Sequence, residues 1–324
     1  MDRATTSGER PAPGLAEVAA PGVVRILAPN PSPMTHWGTN TYLVGEERLV
    51  VVDPGPDLAP HLESLLAAIR GRPVDHVVVT HTHLDHSALA PRLAGEVGAP
   101  TAGFGPSGAG RSAIMARLAA EGEIGGGEGL DTRFVPDVAL ADGDRLGAFR
   151  VLHTPGHLGT HICLLRPDLV LTGDHVMGWS TSLVSPPDGD LGDFMRSCER
   201  LAARVGAFIG DGAAPTGTDA AASGAPAGGR VRALPGHGAT IPDLGARLAE
   251  LVAHRRARER QILAALARAP GTAPDLARRI YHDTPSALLP AASRNVLAHL
   301  VDLATRNLAT CRPPLCADSV FSAT

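Results

Sequence analysis

The stretch Thr80-His81-Thr82-His83-Leu84-Asp85-His86-Ser87 follows directly on a run of β-branched residues, Val77-Val78-Val79. Four side chains able to bind a metal, His81, His83, Asp85 and His86, fall within six positions at the end of what reads as a buried strand over 76–80. Imidazole and carboxylate suit zinc and related divalent ions. On a loop leaving a strand, this spacing lets His81 and His83 point to one ion while Asp85 and His86 reach a second. A chance surface cluster would not need the apolar strand in front of it, and a carboxylate left unpaired beside buried imidazoles would be costly.

Three later segments repeat the arrangement. Thr154-Pro155-Gly156-His157, Thr172-Gly173-Asp174 and Pro235-Gly236-His237-Gly238 each follow a predicted strand, and in each a small-residue turn brings a His or an Asp to the strand end. Any one of these alone is more often a satisfied structural histidine or an Asp in a turn. Together with the first cluster, in this order, they favour one site assembled from several loops. His161 and His175 read either as groups that orient ligands or as structural histidines. Asn40 and Thr41 read as pocket-facing or as turn packing, and Trp179, Ser180 and Thr181 as cleft lining or core.

Strands are predicted at 23–27, 41–44, 48–53, 149–153, 161–165, 169–172 and 231–234, and helices at 58–70, 87–96, 110–120 and 193–205. Strands in runs with helices between them predict an α+β domain of packed sheets with helices outside, spanning 23–242. Residues 1–22 read as a flexible arm. The segment 210–229, mostly Ala, Gly, Pro, Thr and Ser, reads as a flexible insertion. From Asp243 the pattern turns helical. Leu244, Leu248, Leu251 and Val252 form an apolar stripe, Pro274 to Tyr281 forms a second helix and 287–303 a third. This predicts a small helix-turn-helix-type domain over 243–309 and a mobile tail over 310–324. The run His254-Arg255-Arg256-Ala257-Arg258-Glu259-Arg260 is either a solvated helix face or a phosphate-gripping strip.

The 324 residues are 44% hydrophobic, enough for a sizeable core and too apolar for a disordered chain. A net charge of −4 argues against a protein-wide field for nucleic acid. All 29 basic side chains are arginine, a uniformity that reads as host nucleotide bias and singles out no site. Cys163, Cys198, Cys311 and Cys316 are dispersed, with no C-x-x-C pair, and read as free thiols of a reducing compartment; Cys311 and Cys316 would pair only in an oxidising one. No apolar run reaches membrane-span length and no apolar leader pattern opens the sequence, so a cytoplasmic protein with no membrane partner is expected.

The H-x-H-x-D-H motif, with the later His, Asp and His each on a Gly turn, resembles the metallo-β-lactamase superfamily. Asn30-Pro31-Ser32-Pro33-Met34-Thr35, Gly38-Thr39-Asn40-Thr41-Tyr42-Leu43-Val44, Thr172-Gly173-Asp174 and Ile280-Tyr281 are similar to its β-lactamase-like protein 2 branch. The resemblance covers roughly 23–307 without the insertion. It implies an αββα sandwich of two mixed sheets, followed here by the C-terminal helical, winged-helix-like domain. It also implies a two-zinc site in which His81, His83 and His157 hold one ion, Asp85, His86 and His237 the other, and Asp174 bridges them. Such a pair of ions would share a hydroxide nucleophile and polarise the substrate's oxygen, with Asp85 orienting the nucleophile.

A metal-dependent hydrolase is therefore expected. The branch implies two substrate classes: a small acyl ester or thioester, placed first, and single-stranded RNA, which the arginine run favours and the acidic net charge disfavours. A different class, a ligand-sensing nucleic-acid-binding protein acting through the C-terminal helices, would need a basic footprint that the overall charge does not supply.

Overall fold

The computed structural model of the chain describes residues 10–127, 129–210, 229–282, 285–312 and 315–324. The first sheet begins with β1 (Ala16–Ala20), β2 (Val23–Leu27), β3 (Asn40–Val44) and β4 (Leu49–Val52), each antiparallel to the next. Helix α1 (Ala59–Ile69) crosses to β5 (Val74–Val78), which lies parallel to β4, with Val51 opposite Val77 and Val52 opposite Val78. Helices α2 (Leu84–Ser87) and α3 (Ala90–Val97) lead to β6 (Thr101–Gly103); α4 (Ala113–Glu121) intervenes before β7 (Val138–Ala139) closes this seven-stranded sheet in the order β1 to β7.

The second sheet is built from β8 (Arg145–Leu146), β9 (Phe149–His153), β10 (Ile162–Arg166) and β11 (Leu169–Gly173) as an antiparallel meander. After α5 (Leu191–Gly210), β12 (Arg232–Pro235) adds parallel to β11. Every residue of β3, β4 and β11 is buried, as expected of strands covered on both faces.

Alternate side chains then decide which core each strand serves. Tyr42, Val44, Val50, Val52 and Val78 meet Phe149, Val151, Ile162, Leu164, Leu169 and Leu171 between the sheets. On the far face of the first sheet, Leu43, Val51 and Val77 pack on Leu62 and Leu65 of α1 and Leu93 of α3. On the far face of the second, Leu152, Leu165 and Val170 pack on Phe194, Leu201 and Val205 of α5 and on Leu244, Leu248 and Leu251 of the next helix, α6 (Leu244–Arg268). The layers are those of an αββα sandwich.

Helix α6 is capped by Asp243, whose carboxylate accepts the Ala246 N–H at 2.9 Å. Its first half belongs to the sandwich, and its second half carries Ile262 and Leu266 into a smaller core. The helical region expected from 243 thus shares its first helix with the sandwich. In the smaller core, α7 (Ala273–Ile280), opened by a Thr272–Asp275 capping box, packs on α8 (Leu289–Thr305).

Two expectations are corrected. Residues 16–20, placed in the arm, form β1; as an edge strand with one partner it carries little apolar signal. Residues 310–324, read as a mobile tail, contribute to β13 (Ala309–Cys311) and β14 (Phe321–Ala323), an antiparallel pair anchored by the fully buried Phe321, which exchanges two backbone hydrogen bonds with Gly271. Cys311 and Cys316 beside it are separate free thiols. Residues 1–9 of the expected arm and 211–228 of the expected insertion lie outside the described residues. Among the described residues, no helix is long and apolar enough to cross a membrane.

The arginine run on α6 is divided between packing and solvent, with Arg256 and Arg260 exposed. Arg255 is buried, donates to Asn295 Oδ1 at 3.1 Å and to the Ser182 carbonyl, and lies 5.2 Å over the Phe194 ring. Arg258 covers Tyr281 at 3.8 Å, and Arg256 faces Glu199 at 3.7 Å. These side chains join α6 to α5, to the 181–184 segment and to α8.

Next to them, His299 of α8 is buried with neither ring nitrogen hydrogen-bonded. Burial first, and then Arg255, Arg258, His254 and Arg306, hold its pKa well below 6.5. The unfolded chain takes up this proton near pH 6.5 while the folded chain refuses it, so this histidine costs stability as pH falls below about 6.5. His299→Leu, which also removes two unsatisfied polar atoms, is expected to raise Tm by roughly 3–6 °C at pH 7.5 and to shrink the drop between pH 7.5 and 5.5. Thermal melts at both pH values check this, and an unchanged pH dependence would refute it.

Candidate metal centre

The seven side chains singled out in the sequence meet at one edge of the sandwich, each delivered by the segment that follows a strand. His81 and His83 lie in the loop after β5, and Asp85 and His86 on α2. His157 follows β9, Asp174 follows β11 and His237 follows β12. His83 Nδ1 stands 3.1 Å from His81 Nε2 and 3.0 Å from His157 Nε2. His237 Nε2 stands 3.2 Å from both His86 Nε2 and Asp85 Oδ2. Asp174 touches both groups: its Oδ2 lies 3.3 Å from His237 and 3.8 Å from His157, and its Oδ1 lies 3.6 Å from His86.

The outward nitrogens fix what the inward ones offer. His157 Nδ1 donates to the Leu183 carbonyl at 2.6 Å, and His237 Nδ1 to the Gly38 carbonyl at 3.1 Å. His86 Nδ1 donates to Asp53 Oδ2 at 3.0 Å. The Thr80 hydroxyl donates to the same Asp53 oxygen at 2.8 Å, so it accepts from His81 Nδ1 at 3.0 Å. In neutral His81, His86, His157 and His237, therefore, Nε2 carries a lone pair into the centre.

The lone pairs of His86 and His237 face one another at 3.2 Å and need a cation or a proton between them, and His83 Nδ1 stands as close, at 3.1 and 3.0 Å, to those of His81 and His157. The spacing is close to the edge of about 3.3 Å expected between donors about 2.0–2.1 Å from a tetrahedral ion. Asp174 Oδ1 is buried without a hydrogen-bond partner. The donor sets, three imidazoles on one side and two imidazoles with a carboxylate on the other, fit divalent ions of the zinc kind.

The electrostatics divide in the same way. Burial holds His81 well below 6.5 and His83 at about 3, and it lowers His157 against the pull of Asp174. Burial opposes charge on His86 too, yet Asp85, Asp174 and Asp53 raise it to about 9. His237 rises well above 6.5 against its own burial, chiefly through Asp174. Desolvation would raise Asp174, but His237 and His86 hold it well below the usual carboxylate range. The Asp85–Asp174 side of the centre thus draws positive charge, and the His81–His83–His157 side offers neutral donors.

Sequence reasoning passed over Asp53. It ends the apolar run of β4 with φ 51°, is 2% exposed, and accepts the Thr80 N–H at 2.7 Å as well as the Thr80 hydroxyl and His86. A carboxylate directly closing the apolar run Leu49-Val50-Val51-Val52 is the signal the sequence carries. Asp53→Asn leaves the amide NH₂ facing a donor, so zinc affinity is expected to fall about 10- to 100-fold. Competition with a chromogenic chelator measures it, and wild-type affinity would rule out the orienting role.

The remaining candidates brace the site. His161 Nε2 accepts the Asp174 N–H at 3.1 Å. Asn40 donates to the carbonyls of Pro235 and Gly238, both at 3.0 Å, and so fixes the His237 turn; Thr41 donates to the Asp53 carbonyl at 2.7 Å. His175 is buried against Cys198 and Phe194, and burial lowers its pKa to about 3.

Comparison with known proteins places these features. Residues 34–210 match the family model described as the metallo-beta-lactamase superfamily, and residues 272–310 that of the beta-lactamase associated winged helix domain. The chain is 29% identical to the beta-lactamase-like protein 2 homolog of Drosophila melanogaster, over 87% of each chain. It is 31% identical to an atrochrysone carboxyl ACP thioesterase of Claviceps purpurea, over 78% of this chain and 67% of that one. The match spans 64%, just under two thirds, of the length of the fungal lactamase-like protein adaB. The crystal structure of a beta-lactamase domain protein from Burkholderia ambifaria superposes with a TM-score of 0.73 over 99% of this chain and 97% of that one, at 22% identity, a likeness of fold.

Proposed function

Because the chain belongs to the metallo-β-lactamase superfamily, we propose that it is a metal-dependent hydrolase of acyl thioesters or related small esters that works with two zinc ions. In this reading His81, His83 and His157 hold one ion, Asp85, His86 and His237 the other, and Asp174 lies between them. The observation that carries it is the contact of Asp174 with both groups of inward-facing imidazoles. Divalent ions so held lower the pKa of water and polarise a substrate carbonyl.

The rest falls to the chain's own side chains. Asp85 Oδ2 is committed to His237 at 3.2 Å, to His86 at 3.5 Å and to the Thr39 hydroxyl at 3.4 Å. Its Oδ1 is left to accept a proton from the attacking water, and at 29% side-chain exposure Asp85 is the most open carboxylate of the centre. Asp53, the Leu183 carbonyl and the Gly38 carbonyl hold His86, His157 and His237 in orientation, so the donors need no rearrangement during reaction. A thioester is favoured over RNA because two of the run's arginines, Arg255 and Arg258, are engaged by Asn295, Ser182 and Tyr281, which leaves Arg256 and Arg260 as a short exposed remnant rather than a continuous phosphate strip on α6. The thioesterase name of the Claviceps purpurea relative supports the same choice.

The test is hydrolysis of S-acetyl-N-acetylcysteamine and of a labelled single-stranded RNA by chelator-stripped and zinc-restored protein. Thioester hydrolysis is expected to vanish on stripping and to return with zinc, with the RNA intact. Zinc-dependent RNA cutting without thioester hydrolysis would replace this reading by a nuclease.

A further inference from the structure

The chain has two tryptophans, Trp37 and Trp179, and both stack on one histidine. His36 lies between them, 4.7 Å from Trp37 at an interplanar angle of 26° and 4.7 Å from Trp179 at 11°. With aromatics at 3% of the sequence, gathering both indoles in one place is a concentration that core packing does not require. All three rings are half-buried, so the stack is neither sealed in the interior nor laid open on the surface.

The stack is attached to the metal centre from two sides. The Trp179 ring lies against Gly238, directly after His237, so closely that a Cβ there would meet Trp179 Cδ1 at 2.7 Å. From the other side, the loop that carries His36 and Trp37 supplies the Gly38 carbonyl that accepts from His237 Nδ1 at 3.1 Å. His36 itself has φ 55°, a conformation a residue with a Cβ seldom adopts, and its ring is flanked on both faces. None of the three side chains has a part in the hydrolytic chemistry described above.

We propose that the Trp37–His36–Trp179 stack is the acyl-group platform of the site and selects substrates whose acyl group is a planar aromatic ring. The assignment rests on the hydrolase reading. Trp37, half-buried and with His36 as its one ring neighbour among the described residues, is the end at which a flat ring would extend the stack, at the spacing the three rings already show. A saturated ring of the same size meets the indole through its axial C–H bonds and gains burial without the face-to-face overlap of two flat rings. The anchoring to the His237 turn sets the platform beside the atoms that would act on the acyl carbon.

The test compares two free acids of similar size, benzoate and cyclohexanecarboxylate, bound to zinc-loaded protein and read by tryptophan fluorescence. With only two tryptophans, both in the stack, every change in emission reports on it. Benzoate is expected to bind about three- to tenfold more tightly and to alter the emission. Trp37→Leu, with Trp179 still reporting, should bring the ratio of the two affinities towards one, and Trp37→Phe should retain most of it. A merely structural role would weaken both acids alike and leave the ratio in place.

Equal affinities in the wild type, or a preference that survives Trp37→Leu, would overturn the proposal. Binding of the acids needs no turnover. A benzoate preference in a protein that hydrolyses no ester would therefore uphold the platform and sink the hydrolase reading. Hydrolysis without the preference would do the reverse.

Discussion

Replacing Asp85 by asparagine is expected to lower the proposed thioester hydrolysis by at least about a hundredfold while the fold stays intact. The side chain is 29% exposed and sits on the four-residue helix α2, so little core depends on it. Asparagine keeps the shape and the acceptor that faces His86, His237 and Thr39. It loses the basic oxygen that would take a proton from water and one of the carboxylate charges that raise the pKa of His86 and His237. Steady-state kinetics, with zinc content measured on the same preparation, separates the two losses. A variant that keeps both ions and loses tenfold or less would leave Asp85 a ligand only and move the proton-accepting role elsewhere.

Gly156→Ala is expected to destabilise the sandwich severely. Gly156 has φ 146°, and a Cβ there would lie 2.3 Å from Phe194 Cα and 2.6 Å from Phe194 N, the backbone of α5. Neither the turn before His157 nor the helix can yield without opening the layer between them, so the cost is on the order of 4 kcal/mol and Tm should fall by about 10 °C or more. Gly71 is the control. It also has positive φ, 68°, but nothing lies within 4 Å of the added methyl, so Gly71→Ala should cost only about 1–2 kcal/mol. Thermal melts of the two variants side by side decide the matter; similar losses would mean that conformational strain rather than the close approach of α5 sets the requirement for glycine.

The same turn explains why so much of the site was legible in the sequence. His81, His83, Asp85, His86, His157, Asp174 and His237 each sit a few residues beyond an apolar run, and Gly156, Gly173 and Gly236 mark the chain reversals that present the last three. A motif that combines strand, turn and donor is local, and local patterns survive in one dimension. Asp53 did not stand out because its meaning is relational: it reads as an ordinary turn residue until Thr80 and His86 are seen to share its carboxylate. Edge strand β1 and the β13–β14 pair were missed for a related reason. Each is five residues or fewer and takes its stability from one partner or one buried anchor, such as Phe321, rather than from a repeating pattern. The arginine run is ambiguous in the opposite sense. Its charge was plain, but which neighbours would cover Arg255 and Arg258 depends on how α6 spans the two cores.

The donors of the proposed centre are drawn from loops of both sheets, His81, His83, Asp85 and His86 from the first and His157, Asp174 and His237 from the second. Ions held there act as clasps between segments as distant in the chain as residues 81 and 237, closing long loops that the unfolded polypeptide leaves open. By mass action, an ion present at a thousand times its dissociation constant would add about 4 kcal/mol to the folded state. Metal supply would then govern how long a molecule survives as well as whether it works, because a chain that lost its ions would gape along the seam between the sheets and meet proteases first.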